Sequence, residues 1–229
     1  MFDIVPRMNE WSSEGDGPLY VATVVAIEGS AVRGAGASMG ISAHNSLVGS
    51  VSGGCIESTA VASAETLRRQ GGAELLTFCS NDDELIGAPA PCGGTVKVFL
   101  FPYDRRVSSA LYDRMESGLP GLWALVVEGE HRGEYAALDE KGDFVGTGGL
   151  LTSGNGELRG YLKGLLVEES LKDRDSHRLT EGPAGAKVFV QRSAPPPRVL
   201  LVGGSHIGEA LCGILHGMHW ELILADPRE

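Results

Sequence analysis

Two cysteines stand beside glycine pairs, and their surroundings suggest chemistry. Cys55 follows Gly53-Gly54 in "GSVSGGCIES", residues 49–58, and Cys92 precedes Gly93-Gly94 in "PCGGTVKVF", residues 91–99. Such a thiol can be a packed core group, half of a disulfide, a metal ligand, or a side chain aimed at a ligand. Gly53-Gly54-Cys55 falls where an extended stretch turns into a helical pattern, so backbone N–H groups there are expected to converge and favour an anion. A thiol at a helix start is a better nucleophile and a better soft-metal ligand. Glu57 suits the positive end of the helix dipole and needs no catalytic role. Glycine beside a side chain leaves room for something else to approach, which weakens the plain packing reading for Cys55 and Cys92. Cys79, inside "LLTFCS", and Cys212, on the apolar face of the last helical pattern, read as packing residues.

Arg33 is the one charged residue in the loop "GSAVRGAGASM". A cation held among glycines is a natural phosphate contact, and equally a solvated loop arginine. Near the C-terminus, Gly203-Gly204-Ser205-His206-Ile207-Gly208 follows an apolar strand and opens an amphipathic helix, with Asp226 at the end of the next strand. This is the opening βαβ of a dinucleotide-binding fold, with Ser205 at the position of the glycine that admits a pyrophosphate. The candidate nucleotide contacts are Gly203, Ser205, His206, Gly208 and Asp226.

Composition narrows the classes of function. The chain has 229 residues, 42% of them apolar, with 33 glycines and a formal net charge of -11. It can bury a substantial core, and without a basic cluster neither nucleic acid nor an anionic membrane is an expected partner. No apolar stretch approaches the roughly 20 residues of a membrane span, and "MFDIVPRMNEW" lacks the pattern of a signal peptide. The expectation is a soluble cytoplasmic protein with reduced thiols, and the cysteine spacing matches no zinc motif.

The elements that must hold these residues can be read from periodicity. "PLYVATVVAIEGS" reads as a strand buried on both faces, followed by a short strand at 39–42, a turn at His44–Asn45 and another extended piece. Ile56, Ala60, Ala64 and Leu67 share one face of a helix over 56–70, which Gly71-Gly72 ends. "AELLTFCS" and "TVKVFLFPY" are strands, and a short helix covers 108–117. "GLWALVVEGE" and "EYAALDEKGDFVG" form a hairpin with Lys141-Gly142 at its turn. Residues 147–185 read as loops with a short helix, and "AKVFVQR" as a strand. The fold class is therefore α/β, with an N-terminal domain over 1–192, a proline-rich linker over 193–197 and an incomplete, truncated Rossmann-like βαβ over 198–229.

Taken together, "EGSAVRGAGASM" (28–39), "GSVSGGCIE" (49–57), "PCGG" (91–94), "VGGSHIGEAL" (202–211) and "ADPRE" (225–229) resemble the XdhC/CoxI family, accessory proteins of molybdenum hydroxylases such as xanthine dehydrogenase. Val32 stands where the family pattern carries proline, and Ser205 where it carries glycine. The resemblance implies a chaperone-like carrier that binds molybdenum cofactor (molybdopterin), supports its sulfuration by a cysteine desulfurase and delivers it to an apo-molybdenum hydroxylase. Carried onto this sequence, the cofactor-binding residues are Arg33, Ser52, Gly53, Gly54, Cys55, Glu57, Cys92, Gly93 and Gly94, with Cys55 and Cys92 as molybdenum contacts. A homo-oligomer is expected. The alternatives are an NAD(P)-dependent oxidoreductase using the C-terminal segment and a thiol-redox protein using Cys55 and Cys92.

Overall fold

The structure is a computed structural model that describes residues 1–15, 17–79, 94–151, 156–195, 197–218 and 220–227. It is a mixed α/β fold. After a 3-10 turn at Phe2–Ile4, the first part comprises α1 (Val5–Glu14), β1 (Tyr20–Glu28), β2 (Ser38–Ile41), β3 (Leu47–Gly49), α2 (Glu57–Gln70), β4 (Glu74–Phe78) and β5 (Thr95–Pro102). Its antiparallel sheet has the order β3-β2-β1-β5-β4. The second part comprises α3 (Arg105–Glu116), β6 (Gly121–Glu128), β7 (Tyr135–Leu138), β8 (Phe144–Gly146), α4 (Gly156–Ser170), β9 (Ser176–Glu181) and β10 (Lys187–Ser193), with the sheet order β8-β7-β6-β10-β9. The chain then forms β11 (Arg198–Val202), α5 (His206–Gly217) and β12 (Glu221–Ala225), whose two strands pair in parallel.

The first two parts are two copies of one unit, and the match extends to strand register. In the first, Val21 opposes Gly40, Ala22 opposes Met39 and Thr23 opposes Ser38. In the second, Trp123 opposes Ala137, Ala124 opposes Ala136 and Leu125 opposes Tyr135. β5 and β10 pair with β1 and β6 in the same way, and the register shifts at Val24/Ala26 and at Lys187/Val188 mark the same bulge. The β2–β3 and β7–β8 turns are built alike: Ser42 Oγ accepts the N–H groups of His44 and Ser46, and Asp139 Oδ1 those of Lys141 and Asp143. Asn45 and Gly142, at equivalent places, both have left-handed backbone, at φ 64 and 82.

Each sheet buries both faces. α2 covers the outer face of the first sheet through Ile56, Ala60, Ala64 and Leu67, packed on Ala22, Val24, Val98 and Leu100. α4 covers the second through Leu158, Leu162 and Leu166, packed on Ala124, Val126, Val188 and Val190. The inner faces share one core in which Val21, Phe99 and Phe101 meet Trp123, Tyr135 and Phe189, with Met8 and Trp11 of α1 closing it. Phe101 and Tyr135 pack edge to face at 5.1 Å.

The long first strand, the helix over 56–70 and the parallel βαβ agree with the sequence expectations. Two expectations are corrected and one element is added. The turn at Lys141-Gly142 joins β7 to β8, so the segment is a three-stranded meander rather than one hairpin. The stretch over 147–185 holds the full helix α4 and the edge strand β9. The N-terminal residues, given no element from sequence, form α1, with proline in its first turn. Among the described residues no helix is long and apolar enough to cross a membrane.

Candidate functional site

The loops bearing Arg33 and Cys55 leave the first sheet at the same end. Glu28, the last residue of β1, opposes Thr95 at the start of β5, and Gly49 at the end of β3 opposes Met39. Phe78 at the end of β4 opposes Val96, so this is also the end where Gly94 enters β5. A Cβ at Gly53 would lie 3.6 Å from Cγ1 of Val32, so the Arg33 and Cys55 loops touch. A Cβ at Gly94 would lie 2.7 Å from the Glu28 carbonyl oxygen and would also strike the Ser30 backbone. Only glycine fits at Gly94. Cys92 and Gly93 lie outside the described residues.

The backbone N–H groups of this turn do converge on an anion, and it is the chain's own. Glu57 Oε1 accepts from the N–H groups of Val51, Ser52 and Gly53 at 3.2, 3.0 and 3.2 Å, and Oε2 from those of Gly54 and Ile56 at 3.0 and 3.1 Å. The hydroxyl of Ser50 donates to the same carboxylate at 2.7 Å, and that of Ser52 also bonds to it. Burial alone would raise the Glu57 pKa. The hydroxyls of Ser52 and Ser50 and the backbone N–H groups outweigh it and hold the carboxyl down at about 2. Glu57 is thus the brace of the loop, more than a helix-dipole partner, and the amides expected to face an outside anion are already engaged.

What the brace presents outward is Cys55. Its own N–H donates to Ser52 Oγ at 3.0 Å, which fixes the backbone, while the residue stays exposed. Gly54 has φ 120 and nothing within 4 Å of a notional Cβ, so the surface beside the thiol is open. Arg33 is exposed in the neighbouring loop. That loop is anchored to the second unit at Gly36, whose notional Cβ would meet the Gln191 side chain 2.6 Å away at Cδ. Gln191 Oε1 in turn accepts from Trp123 Nε1 at 3.0 Å. Cys79 is half-buried and accepts a hydrogen bond from Thr95 Oγ1 at 3.7 Å, and Cys212 is half-buried on α5.

The C-terminal group sits on the separate parallel sheet. Gly203 has φ 106, and a Cβ at Gly208 would lie 2.5 Å from the Gly203 carbonyl oxygen, the close helix–strand approach that a dinucleotide fold requires of that glycine. The N–H of Gly204 donates to the carboxylate of Asp226, so the acid expected to meet a ribose is tied to the glycine turn. Ser205 and His206 are exposed at the start of α5.

Comparison with known proteins adds the following. The model of the XdhC and CoxI family matches residues 13–78, the stretch that carries Arg33, Cys55 and Glu57. A protein of Bacillus subtilis (strain 168), described as a probable subunit of xanthine dehydrogenase, is 26% identical over 213 residues, covering 91% of this chain and 59% of its own length. A crystal structure described as a xanthine dehydrogenase from Bacillus halodurans superposes with a TM-score of 0.69 at 22% identity, covering 98% of this chain and 62% of that one. The chain therefore spans about three fifths of the length of these relatives.

Proposed function

From the premise that this chain is an XdhC/CoxI family member, matched over residues 13–78, we propose that it is an accessory protein of a molybdenum hydroxylase, a carrier that holds molybdenum cofactor and hands it on without a catalytic cycle of its own. The description of the Bacillus subtilis relative, as a probable part of xanthine dehydrogenase, supports the link to that enzyme class. The observation that carries the reading is the exposed Cys55 thiol, held on a loop braced by Glu57 and flanked by open glycine surface.

The residues suit such a group in part. A thiolate is a soft ligand appropriate to molybdenum–sulfur chemistry, and Gly53 and Gly54 leave room for a planar pterin beside it. The amides of 51–54 are spent on Glu57, so the cofactor's phosphate falls to Arg33 and to residues of the Cys92–Gly94 segment. When bound, the cofactor supplies the metal–sulfur chemistry, and the chain contributes the thiol, the opening and the cation. Residues 1–192 serve in this reading as the cofactor unit, and the βαβ over 198–229 as a Rossmann-like unit. The cysteine desulfurase and the apo-hydroxylase are the proposed partners, in the cytoplasm, with the carrier a homo-oligomer.

The test is retention of cofactor. Reduced protein is mixed anaerobically with cofactor released from a molybdenum hydroxylase, passed through a desalting column and assayed for pterin fluorescence. Pterin should elute with the wild type and be strongly reduced with Cys55→Ser and with Arg33→Gln. Equal retention by all three proteins would refute the assignment of these residues.

A further inference from the structure

Matching the two units strand by strand pairs Phe101 with Gln191. Phe101 opposes Val21 on β1 and Gln191 opposes Trp123 on β6, and Val21 and Trp123 hold equivalent places in their sheets. Phe101 is fully buried and stacks with Trp123, their ring centres 6.2 Å apart. The second unit thus sets a half-buried carboxamide where the first sets a core ring. An amide withdrawn from water costs free energy unless its oxygen and its nitrogen both find partners.

The oxygen finds one inside the chain. The indole N–H of Trp123 is a donor only, so its 3.0 Å bond ends on Gln191 Oε1, which fixes Nε2 as the opposite end of the amide. Nε2 lies against Gly36 in the Arg33 loop, where a Cβ would overlap it. Gly36 is buried with φ 89, and this close approach requires glycine. Among the described residues Nε2 has no acceptor and Arg33 has no ion pair. Both residues, with Gly36 between them in the loop, line one recess of about 430 Å³ whose walls come from the two units. That volume lies in the range of small-ligand sites, roughly 300–1,000 Å³. The carboxylate of Asp3 also lines it, and stands 3.7 Å from the amino group of Met1. A guanidinium and a carboxamide N–H without partners are a donor pair suited to a phosphate.

We propose that this recess holds the phosphate group of a phosphate ester, with Arg33 supplying the charge and Gln191 Nε2 the second donor, from the other unit. The site deepens the carrier reading and rests on it for identifying the ester with the phosphate end of the cofactor. In this arrangement the first unit presents the thiol and the cation, and the second unit completes the phosphate seat.

Heteronuclear NMR titration of the full chain with glycerol phosphate, inorganic phosphate and glycerol tests it. Glycerol phosphate should shift the Trp123 indole and Gln191 side-chain N–H signals saturably, and glycerol should shift neither. Inorganic phosphate should move the same signals, and the tighter of the two phosphates tells whether the ester or the free ion is preferred. Gln191→Glu keeps an acceptor for Trp123 and puts an oxygen in the place of Nε2. It should melt near the wild type and bind either phosphate at least about tenfold more weakly, the scale of one lost charge-assisted contact. If that variant melts early, Arg33→Gln, a change to an exposed side chain, decides with the same expected loss. Cys55→Ser should leave the phosphate response intact. Absence of saturable shifts at millimolar phosphate would overturn the proposal, and so would undiminished binding in either the Gln191 or the Arg33 variant. Cofactor retained without a phosphate response would refute this site alone, whereas a phosphate response without cofactor retention would support the site and refute the carrier reading.

Discussion

The N–H of Gly54 donates to Glu57 Oε2 at 3.0 Å, and between this pair in the turn lies the exposed Cys55. A loop of small residues would ordinarily sample many conformations. Here five backbone N–H groups and two serine hydroxyls close on one carboxylate, and the thiol is carried outward on what they fix.

Replacing Glu57 by Gln should therefore destabilise the protein by about 2–3 kcal/mol at neutral pH, the scale of lost charge-assisted hydrogen bonds. The folded carboxyl titrates at about 2 against 4.5 for a free glutamate. Its contribution, on the order of 3 kcal/mol, is whole above the unfolded value and is lost as pH falls from roughly 5 towards 2. Urea denaturation of both proteins at pH 7 and pH 4 checks this. The wild type should lose part of its advantage at the lower pH, and equal stability at pH 7 would contradict the bracing role.

Gly94 and Gly54 should respond differently to alanine. At Gly94 the added Cβ meets backbone atoms of Glu28 and Ser30, which cannot move without parting β1 from β5. Gly94→Ala should cost about 1–3 kcal/mol or more, as overpacking against backbone does. At Gly54 the space is open and only the backbone angle is strained, so Gly54→Ala should cost about 1–2 kcal/mol. Thermal melts of the two variants give the order directly, and a Gly54 variant less stable than the Gly94 variant would reverse it.

Glu169 ties α4 to β9. Its side chain is fully buried, with Lys172 Nζ at 2.8 Å, Ser176 Oγ at 2.5 Å and Arg178 Nε at 3.1 Å, the last paired by charge although off the N–H axis. Burial would raise its pKa, but the Lys172 and Ser176 hydrogen bonds and the charges of Lys172 and Arg178 bring it below the usual value. Glu169→Leu should cost about 1–3 kcal/mol, because it removes the hydrogen bonds of Lys172 and Ser176 and leaves the part-exposed Arg178 with Glu168, 2.9 Å away, as its remaining partner. Glu169→Leu together with Arg178→Met should recover part of that loss in a denaturant titration. No recovery would mean that the two side chains are not coupled.

The elements around Cys55 were legible where periodicity was strong. The Val- and Ile-rich run of β1 and the spacing of Ile56, Ala60, Ala64 and Leu67 reflect burial that the sequence cannot disguise. α4 was obscured by Gly156, Gly160 and Gly164, which weaken a helical pattern, and β9 because "SHRLTE" is a half-exposed edge strand. The duplication is hard to read from sequence because identity between the units falls in short pieces, among them "VV" in β1 and β6, "VG" in β3 and β8, and "KVF" in β5 and β10. Buried faces and registers are kept while the residues change. The convergence of amides at Gly53-Gly54 was readable, but its occupant was not. The available signal was Ser50 and Ser52, hydroxyl donors placed shortly before an acid. The partnership of Cys55 with Cys92 remains a proposal, since Cys92 falls outside the described residues.

The most direct measurement is the molybdenum and pterin content of the protein purified anaerobically from cells making molybdenum cofactor. Wild-type chain should carry both, and the Cys55→Ser/Cys92→Ser double variant, folded by circular dichroism, should carry neither. Undiminished cofactor in that variant would contradict the carrier role assigned to its thiols.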